Sequence, residues 1–446
     1  SGENAVEISR RIAHSGDLPV ILEPRCAVLA EFVDPDSGMV LDQVVCTYFR
    51  KPHSYTAEDV VELACHGSPV IVARLLQCCL DAGARMADPG EFTMRAFLSG
   101  RIDLTQAEAV RDLIEARTLF QARVAAQQIE GSVALRIHPY KKKLVDLIAL
   151  LEAGIDFAED DVSVLGWREI ARYITTSIKD LEGLCESFTL GRLVHEGLSL
   201  VVVGRPNVGK SSLFNSLLNQ DRAIVTATPG TTRDLVTEST EIEGVPLRFI
   251  DTAGVRDTHE EAELIGMQKS LGAIADSDLT LVVLDGSEVL TLRDRDLFQR
   301  VAPLRRMLVA INKADLPERF CEADVRELCG ASGADPEFCK SFSVVRTSAL
   351  TSKGIGDLKK QILSSVIPLR ELEGVDQCIT NLRHQQLIHD SLDALRKAHA
   401  AVESKIPHEM VLIDLYNGLS ALDSITGQTT TEDILGVVFS QFCVGK

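Results

Sequence analysis

The densest chemistry in the sequence lies in Gly204-Arg-Pro-Asn-Val-Gly209-Lys210-Ser211. The stretch follows an apolar, strand-like run (198–203) and precedes a helical run (212–219). Two glycines let successive backbone N–H groups turn inward around an anion. The start of the following helix adds positive potential. Lys210 can reach the terminal phosphates of a nucleotide, and the Ser211 hydroxyl can ligate Mg²⁺. The strand–loop–helix setting separates this reading from that of a glycine-rich turn with a chance lysine.

Three further segments stand at the ends of later strand-like runs. Asp251-Thr252-Ala253-Gly254 follows 247–250. It offers a carboxylate to the outer sphere of the Mg²⁺ and a glycine N–H to the γ-phosphate. Asn312-Lys313-Ala-Asp315 ends 307–311. The Asp315 carboxylate can accept from both the N1–H and the 2-amino group of guanine; adenine lacks that donor pair, so ATP would leave a desolvated carboxylate unpaired. Thr347-Ser348-Ala349 follows 342–345 and adds contacts to the base. The series, with Asn207, Val208 and Ser212 beside the phosphates, predicts a GTP site.

The hydrolytic group is less plain. The position after Gly254 is Val255, which cannot orient water, and none of Arg205, Arg233 or Arg256 is identifiable as a cis arginine finger. Another group must neutralise transition-state charge, a term worth roughly 10³–10⁵ in rate. The segment Thr226-Ala-Thr228-Pro-Gly-Thr231-Thr232-Arg-Asp234 supplies candidates. Thr232 suits a Mg²⁺ ligand, and neighbouring carbonyls with the Asn207 amide suit a monovalent cation. Asn207 as a turn residue and the threonines as a polar loop are the plainer alternatives.

These motifs need a scaffold. The chain has 446 residues, a prior of about three domains. Residues 1–100 mix short helices and strands, with apolar segments at 40–49 and 69–80 and a loop at Asp88-Pro-Gly90. From about 103 the pattern is helical as far as Gly131, opening on Thr105-Gln-Ala-Glu108, which has the form of a capping box. More helix follows at 140–154 and 168–189. From 197 to about 370, short apolar strands alternate with helices, the rhythm of a mostly parallel sheet covered on both faces. Glu243-Gly244 joins two adjacent strands. Helical patterning resumes at 381–403, 407–424 and 431–442, so the α/β unit reads as an insertion into a helical domain.

Composition narrows the classes. The net charge of −19 argues against a dominant, non-specific grip on nucleic acid. The longest apolar runs are too short to span a bilayer. Eleven cysteines, an odd number with no Cys-x-x-Cys pair, favour a reducing interior over a disulfide framework or zinc site.

With these residues in view, the sequence closely resembles the MnmE (TrmE) family of tRNA-modifying GTPases. The likeness runs from Glu58-Asp-Val-Val-Glu62, His66-Gly67, Gly90-Glu-Phe-Thr-Met-Arg-Ala-Phe-Leu98 and Leu104-Thr-Gln-Ala-Glu108, through the nucleotide motifs, to the terminal Phe442-Cys443-Val-Gly-Lys446. It implies a multidomain α/β chain: an N-terminal α/β folate-binding and dimerising domain (1–100), a discontinuous helical domain (101–195 and 371–446), and an inserted Ras-like P-loop GTPase domain (196–370). It also implies a homodimer whose GTPase domains pair across K⁺, with Asn207, Thr226, Thr228 and Thr231 at the ion and Glu263 orienting water; by residue type alone Glu263 is a solvated helix carboxylate.

The implied reaction is aminomethyl or carboxymethylaminomethyl modification at C5 of the tRNA wobble uridine, with the FAD-containing partner MnmG (GidA) in a heterotetramer or larger complex. The one-carbon unit comes from 5,10-methylenetetrahydrofolate, with 5-formyltetrahydrofolate as the other folate considered. Glu62, Arg101 and Lys446 match folate contacts, and Cys443 matches a cysteine tied to the modification. Arg101 stands where lysine is common in the family. Relatives carry a further strand and a glycine-rich stretch ahead of Ser1-Gly2, with a folate-contacting arginine, so that first strand is expected to be missing. A bacterial cytoplasm is the expected setting, or a mitochondrial matrix if the source is eukaryotic. A ribosome-assembly switch is the competing reading and a membrane-remodelling GTPase a weaker one; no basic amphipathic segment supports the latter.

Overall fold

A computed structural model of the chain describes residues 1–16, 18–156, 166–219, 238–250, 277–304, 306–366 and 380–428. They fall in two compact units: 1–111 with 128–149 and the segment from 413, and 112–127 with 150–412.

The first unit is built on an antiparallel sheet in the order β2-β1-β3-β4-β5, comprising β1 (Ala13–Ser15), β2 (Leu18–Pro19), β3 (Ala27–Val33), β4 (Val40–Phe49) and β5 (Val60–Ala64). Strand alternation divides its faces. Ala30, Phe32, Val44 and Cys46 turn inward and pack with Ile12 of the helix Ala5–Ile12 and with Leu75 and Cys78 of the helix Pro69–Asp81. The apolar segment 69–80 is therefore a helix, with its proline in the first turn, where no intrahelical N–H is required. The other face leaves Leu29 62% and Val45 39% exposed.

Helices from either side of the α/β insertion meet in both units. In the first, Lys141 of the helix Ser132–Asp156 reaches Asp423 (2.5 Å) and Gln428 (2.7 Å). In the second, Trp167–Glu196 packs along Leu382–Glu403, with Arg396 paired to Glu182 at 2.9 Å and the Cys185 Sγ 3.3 Å from His389 Nε2. Helices that precede the second unit's α/β sheet in sequence are thus paired with helices that follow it.

The second unit's sheet runs β11-β10-β9-β6-β8-β7. Its strands are β6 (Leu198–Val203), β7 (Glu238–Ile242), β8 (Val245–Phe249), β9 (Leu279–Asp285), β10 (Met307–Asn312) and β11 (Val344–Arg346). All neighbours are parallel except the β7–β8 hairpin. Glu243 (φ 51°) and Gly244 (φ 84°) turn that hairpin in the left-handed region that two-residue loops favour. Apolar clusters cover both faces: Leu213, Phe214 and Leu358 on one, Phe298, Val325 and Phe320 on the other.

Three local expectations are corrected. The capping box is not Thr105/Glu108. Asp103 caps the helix Leu104–Glu115, its carboxylate accepting from the Gln106 N–H at 2.9 Å while the Gln106 side chain accepts from the Asp103 N–H. Thr105 lies inside the first turn and donates to Asp103 at 2.6 Å. The helical run to Gly131 is two helices, because Thr118 and Gln121 form a second reciprocal cap that starts Leu119–Ile129. The strand expected at 342–345 begins at Val344, since Phe342 closes the short helix Pro336–Ser341 and is buried in the core. The helix expected at 431–442 and the boundary near 370 lie outside the described residues.

Candidate functional site

The phosphate loop leaves the C-terminal end of β6. From β6 the chain goes to β8 on one side and to β9 on the other, so the loop opens at a topological switch point, where α/β sheets place ligands. Its glycines are sterically required. A Cβ on Gly204 would run into the Val283 carbonyl of β9, and one on Gly209 into the Asn312 side chain; Gly209 also has φ +93°. Asn207 is exposed, with left-handed backbone (φ 65°) that asparagine tolerates.

Lys210 opens the helix Lys210–Asn219 and folds its ammonium back onto the loop, donating to the carbonyls of Gly204 and Arg205, both at 2.8 Å. Ser211 and the exposed Ser212 follow in the first turn. Loop N–H groups, a helix start and an ammonium together form an anion cradle.

Arg205 is committed elsewhere. Its Nε donates at 2.8 Å to Asp294, which is fully buried and also accepts from the N–H and hydroxyl of Thr291 at 2.8 Å each. The guanidinium thus ties the phosphate loop to the start of the helix Leu292–Val301.

Asn312, at the end of β10, joins three loops. Its amide donates to the Val208 carbonyl at 2.9 Å, and its side-chain oxygen accepts from the Ala349 N–H at 3.2 Å and the Thr347 hydroxyl at 3.4 Å. Lys313 (φ 63°) turns out of the strand and pairs with Asp285 at 2.5 Å. Burial pushes the Asp285 carboxyl up, but hydrogen bonds from Lys313 and from the Ser287 hydroxyl and N–H outweigh it and hold the group below its usual range. Asp315 accepts from the buried Ser348 hydroxyl at 2.5 Å, which fixes one carboxylate oxygen. Among the described residues, 204–212 and Asn312, Asp315, Ser348 and Ala349 are therefore brought to one end of one sheet.

Glu62 and Arg101 lie in the first unit, both exposed. Register places Ala27, Thr47 and Glu62 in one cross-strand row and Leu29, Val45 and Ala64 in the next, so Glu62 stands on the open apolar face. A cleft of about 390 Å³ lined by Val61, Leu63, Glu91 and Arg95 takes the other face of β5 and does not include Glu62 or Arg101. Thr226, Thr228, Thr231, Thr232, Asp251, Thr252, Ala253, Gly254, Glu263, Cys443 and Lys446 lie outside the described residues.

Residues 104–443 match the MnmE helical domain, and residues 1–101 match the N-terminus of the GTP-binding protein TrmE. The chain belongs to the MnmE family. It is 56% identical over 428 residues to the tRNA modification GTPase MnmE of Koribacter versatilis, covering 95% of this chain and 90% of that protein. The tRNA modification GTPase MnmE of Alkaliphilus oremlandii is 39% identical over 448 residues, covering 100% and 95%. Among solved structures, the G domain of the T. maritima FeoB iron transporter is similar at 22% identity and TM-score 0.27, over 38% of this chain and 98% of that one.

Several of the MnmE signature residues prove to be framework. Glu91 accepts from Arg85, from Arg95 at 2.6 Å and from the Asp88 N–H at 2.8 Å, and Arg95 reaches on to Glu58 at 2.9 Å. Hydrogen bonds from Arg85 first, then from the Asp88 N–H and Arg95, bring the Glu91 carboxyl down to about 2 against the effect of burial. Asp59 accepts from the Tyr48 hydroxyl and the Lys51 N–H, both at 2.9 Å. In this chain these groups hold the start of β5 and the helix Glu91–Leu98 in place. The Arg205–Asp294 tie was not foreseen; the one local signal was Thr291-x-x-Asp294, a helix-start pattern.

Proposed function

We propose that the chain hydrolyses GTP in tRNA modification, as its relatives, the tRNA modification GTPases MnmE, are named for doing. The observation that carries the reading is the Asn312 side chain, which joins the phosphate loop at Val208 to the base-side loop at Ala349 while Ser348 orients Asp315. An anion cradle and a carboxylate suited to guanine's donor pair then form one site. In it Lys210 leaves its loop carbonyls for the β/γ-phosphates, and Gly209 with the helix start donates N–H groups to them. Val208 and Ser212 flank the phosphates, and Asn312, Lys313, Asp315, Ser348 and Ala349 hold the base. Ser211 fits a Mg²⁺ ligand by its hydroxyl and its place in the first turn; Mg²⁺ supplies charge neutralisation when bound. Thr226, Thr231, Thr232 and Asp251 through Gly254 complete the nucleotide site.

The finer reading extends this. Asn207, exposed at the mouth of the loop, takes part with Thr226, Thr228 and Thr231 in holding K⁺ where two GTPase domains pair, and Glu263 orients the attacking water. The open sheet face bearing Leu29, Val45 and Glu62 is where the N-terminal domain (1–100) forms a homodimer and takes folate, with Arg101 and Lys446 supplying charge and Glu62 accepting from the pterin. Cys443 serves the modification. The helical domain runs over 101–195 and 371–446 around a GTPase domain at 196–370. With the flavoprotein MnmG, in the cytoplasm, the enzyme modifies C5 of the wobble uridine.

Reconstitution of this chain with the flavoprotein, tRNA, GTP and methylene-tetrahydrofolate, followed by nucleoside analysis, tests the reading. A GTP-dependent new wobble nucleoside is expected. Unmodified uridine despite GTP turnover would overturn the tRNA assignment and leave the GTPase.

A further inference from the structure

Cys329 and Cys339 belong to no part of the nucleotide site. Cys329 lies near the end of the helix Glu322–Ala331 and is fully buried; Cys339 lies in the helix Pro336–Ser341 and is 5% exposed. Their Sγ atoms are 2.9 Å apart. Carbon atoms in ordinary non-bonded contact stand about 3.5–4.0 Å apart, and sulfur is larger, so the pair is already inside that distance. A disulfide bond would bring the atoms to about 2.0 Å.

The backbones on both sides are held at this approach. Arg326, one turn before Cys329, donates to the Cys339 carbonyl at 2.9 Å and to the Phe342 carbonyl at 3.2 Å. The Cys329 carbonyl accepts from the Ser332 hydroxyl at 2.6 Å, and Asp335 caps the second helix by accepting from the Glu337 N–H at 3.0 Å. Both ends of the short connection are therefore fixed before any bond forms.

We propose that Cys329 and Cys339 form a reversible thiol–disulfide pair that a peroxide closes within the GTPase unit. The Cys339 sulfur, the more exposed of the two, gives up its proton and attacks one peroxide oxygen. The O–O bond breaks, leaving a sulfenic acid on Cys339, and the departing hydroxide takes up the thiol proton as water. The Cys329 sulfur then attacks the Cys339 sulfur. The S–S bond forms, the S–O bond breaks, and the hydroxide released takes the Cys329 proton as a second water. Two thiols lose two electrons and two protons, and the peroxide is reduced to two waters. Burial and the hydrogen bond with Cys339 push the Cys329 thiol up, so in the closed structure Cys329 is slow to act as the attacking thiolate of the second step. Reaction follows brief opening of the six-residue helix Pro336–Ser341, an exposed element of the kind that opens locally.

The sequence makes the test direct. Trypsin cleaves after Arg326 and Lys340, and the peptide from Glu327 to Lys340 carries these two cysteines and no other. The full chain is treated with hydrogen peroxide, unfolded, alkylated with iodoacetamide, digested and weighed. The expected result is loss of two hydrogens from that peptide with neither thiol alkylated, and recovery of both alkylated thiols when dithiothreitol precedes alkylation. In Cys339→Ser, Cys329 remains alkylatable after the same treatment. Full alkylation of both thiols in the treated protein, stable sulfinic acid at either one, or a disulfide from either to another cysteine would overturn the proposal.

Discussion

The Asn312 side-chain amide donates to the Val208 carbonyl at 2.9 Å across 104 residues of sequence. The bond is buried and joins the loop read as holding phosphate to the strand end read as holding the base. Asn312 is thereby a structural joint between two halves of one site, whatever it does to a ligand directly.

Asn312→Ala removes that donor and leaves the Val208 carbonyl and the Ala349 N–H without their partner. A buried group orphaned in this way costs about 1–3 kcal/mol. We expect a lower denaturation midpoint and GDP affinity reduced by about tenfold or more, read by calorimetric titration. Unchanged affinity would show that the two loops hold their places independently.

Asp315→Asn exchanges an acceptor for a donor at the position proposed to face the guanine 2-amino group. GTP affinity should fall by orders of magnitude, since an amide N–H then meets a donor. Xanthosine triphosphate, with an oxygen at that position, should bind better to the variant than to the parent. Competition against a fluorescent nucleotide measures both.

Arg205 and Asp294 should behave as one unit. Removing either partner of a buried ion pair is expected to cost roughly 3–5 kcal/mol, while removing both costs less than the sum. Arg205→Met and Asp294→Leu, singly and together, should therefore be non-additive in urea denaturation. Additive losses would mean the ion pair is not what anchors the phosphate loop.

Glu91 gives the first unit an acid limit. Its folded carboxyl titrates at about 2 against an ordinary 4.5. A depressed carboxylate stabilises fully above its unfolded value and loses that contribution as pH falls toward the folded one. The parent should therefore be more stable than Glu91→Gln at neutral pH, with the gap closing between about 4.5 and 2. Acid titrations followed by circular dichroism check this; a gap independent of pH would contradict it.

Much of the nucleotide site was legible because its chemistry is local. A glycine-rich loop after an apolar strand needs no distant partner to be recognised; strands β6, β8, β9 and β10 read as short apolar runs, while the polar β7 is signalled only by the Glu243-Gly244 turn. The capping box was misplaced by two residues because Asp103 and Thr105 both suit a helix start and only the backbone shows which one caps. The break before Leu119 was overlooked although Thr118-x-x-Gln121 has the pattern of a cap. What stayed hidden was long-range: the pairing of Arg205 with a carboxylate 89 residues away, the face of β5 on which Glu62 stands, and the approach of two core cysteines. Periodicity does not encode which distant partner a polar group finds.

The most direct test of the central claim is steady-state phosphate release by the full chain with Mg²⁺ and K⁺, comparing GTP with ATP at equal concentration. The account predicts turnover of GTP that excess GDP suppresses, and no turnover of ATP above the enzyme-free rate. Equal hydrolysis of both nucleotides, or of neither, would contradict a guanine-reading hydrolase built around Asn312 and Asp315.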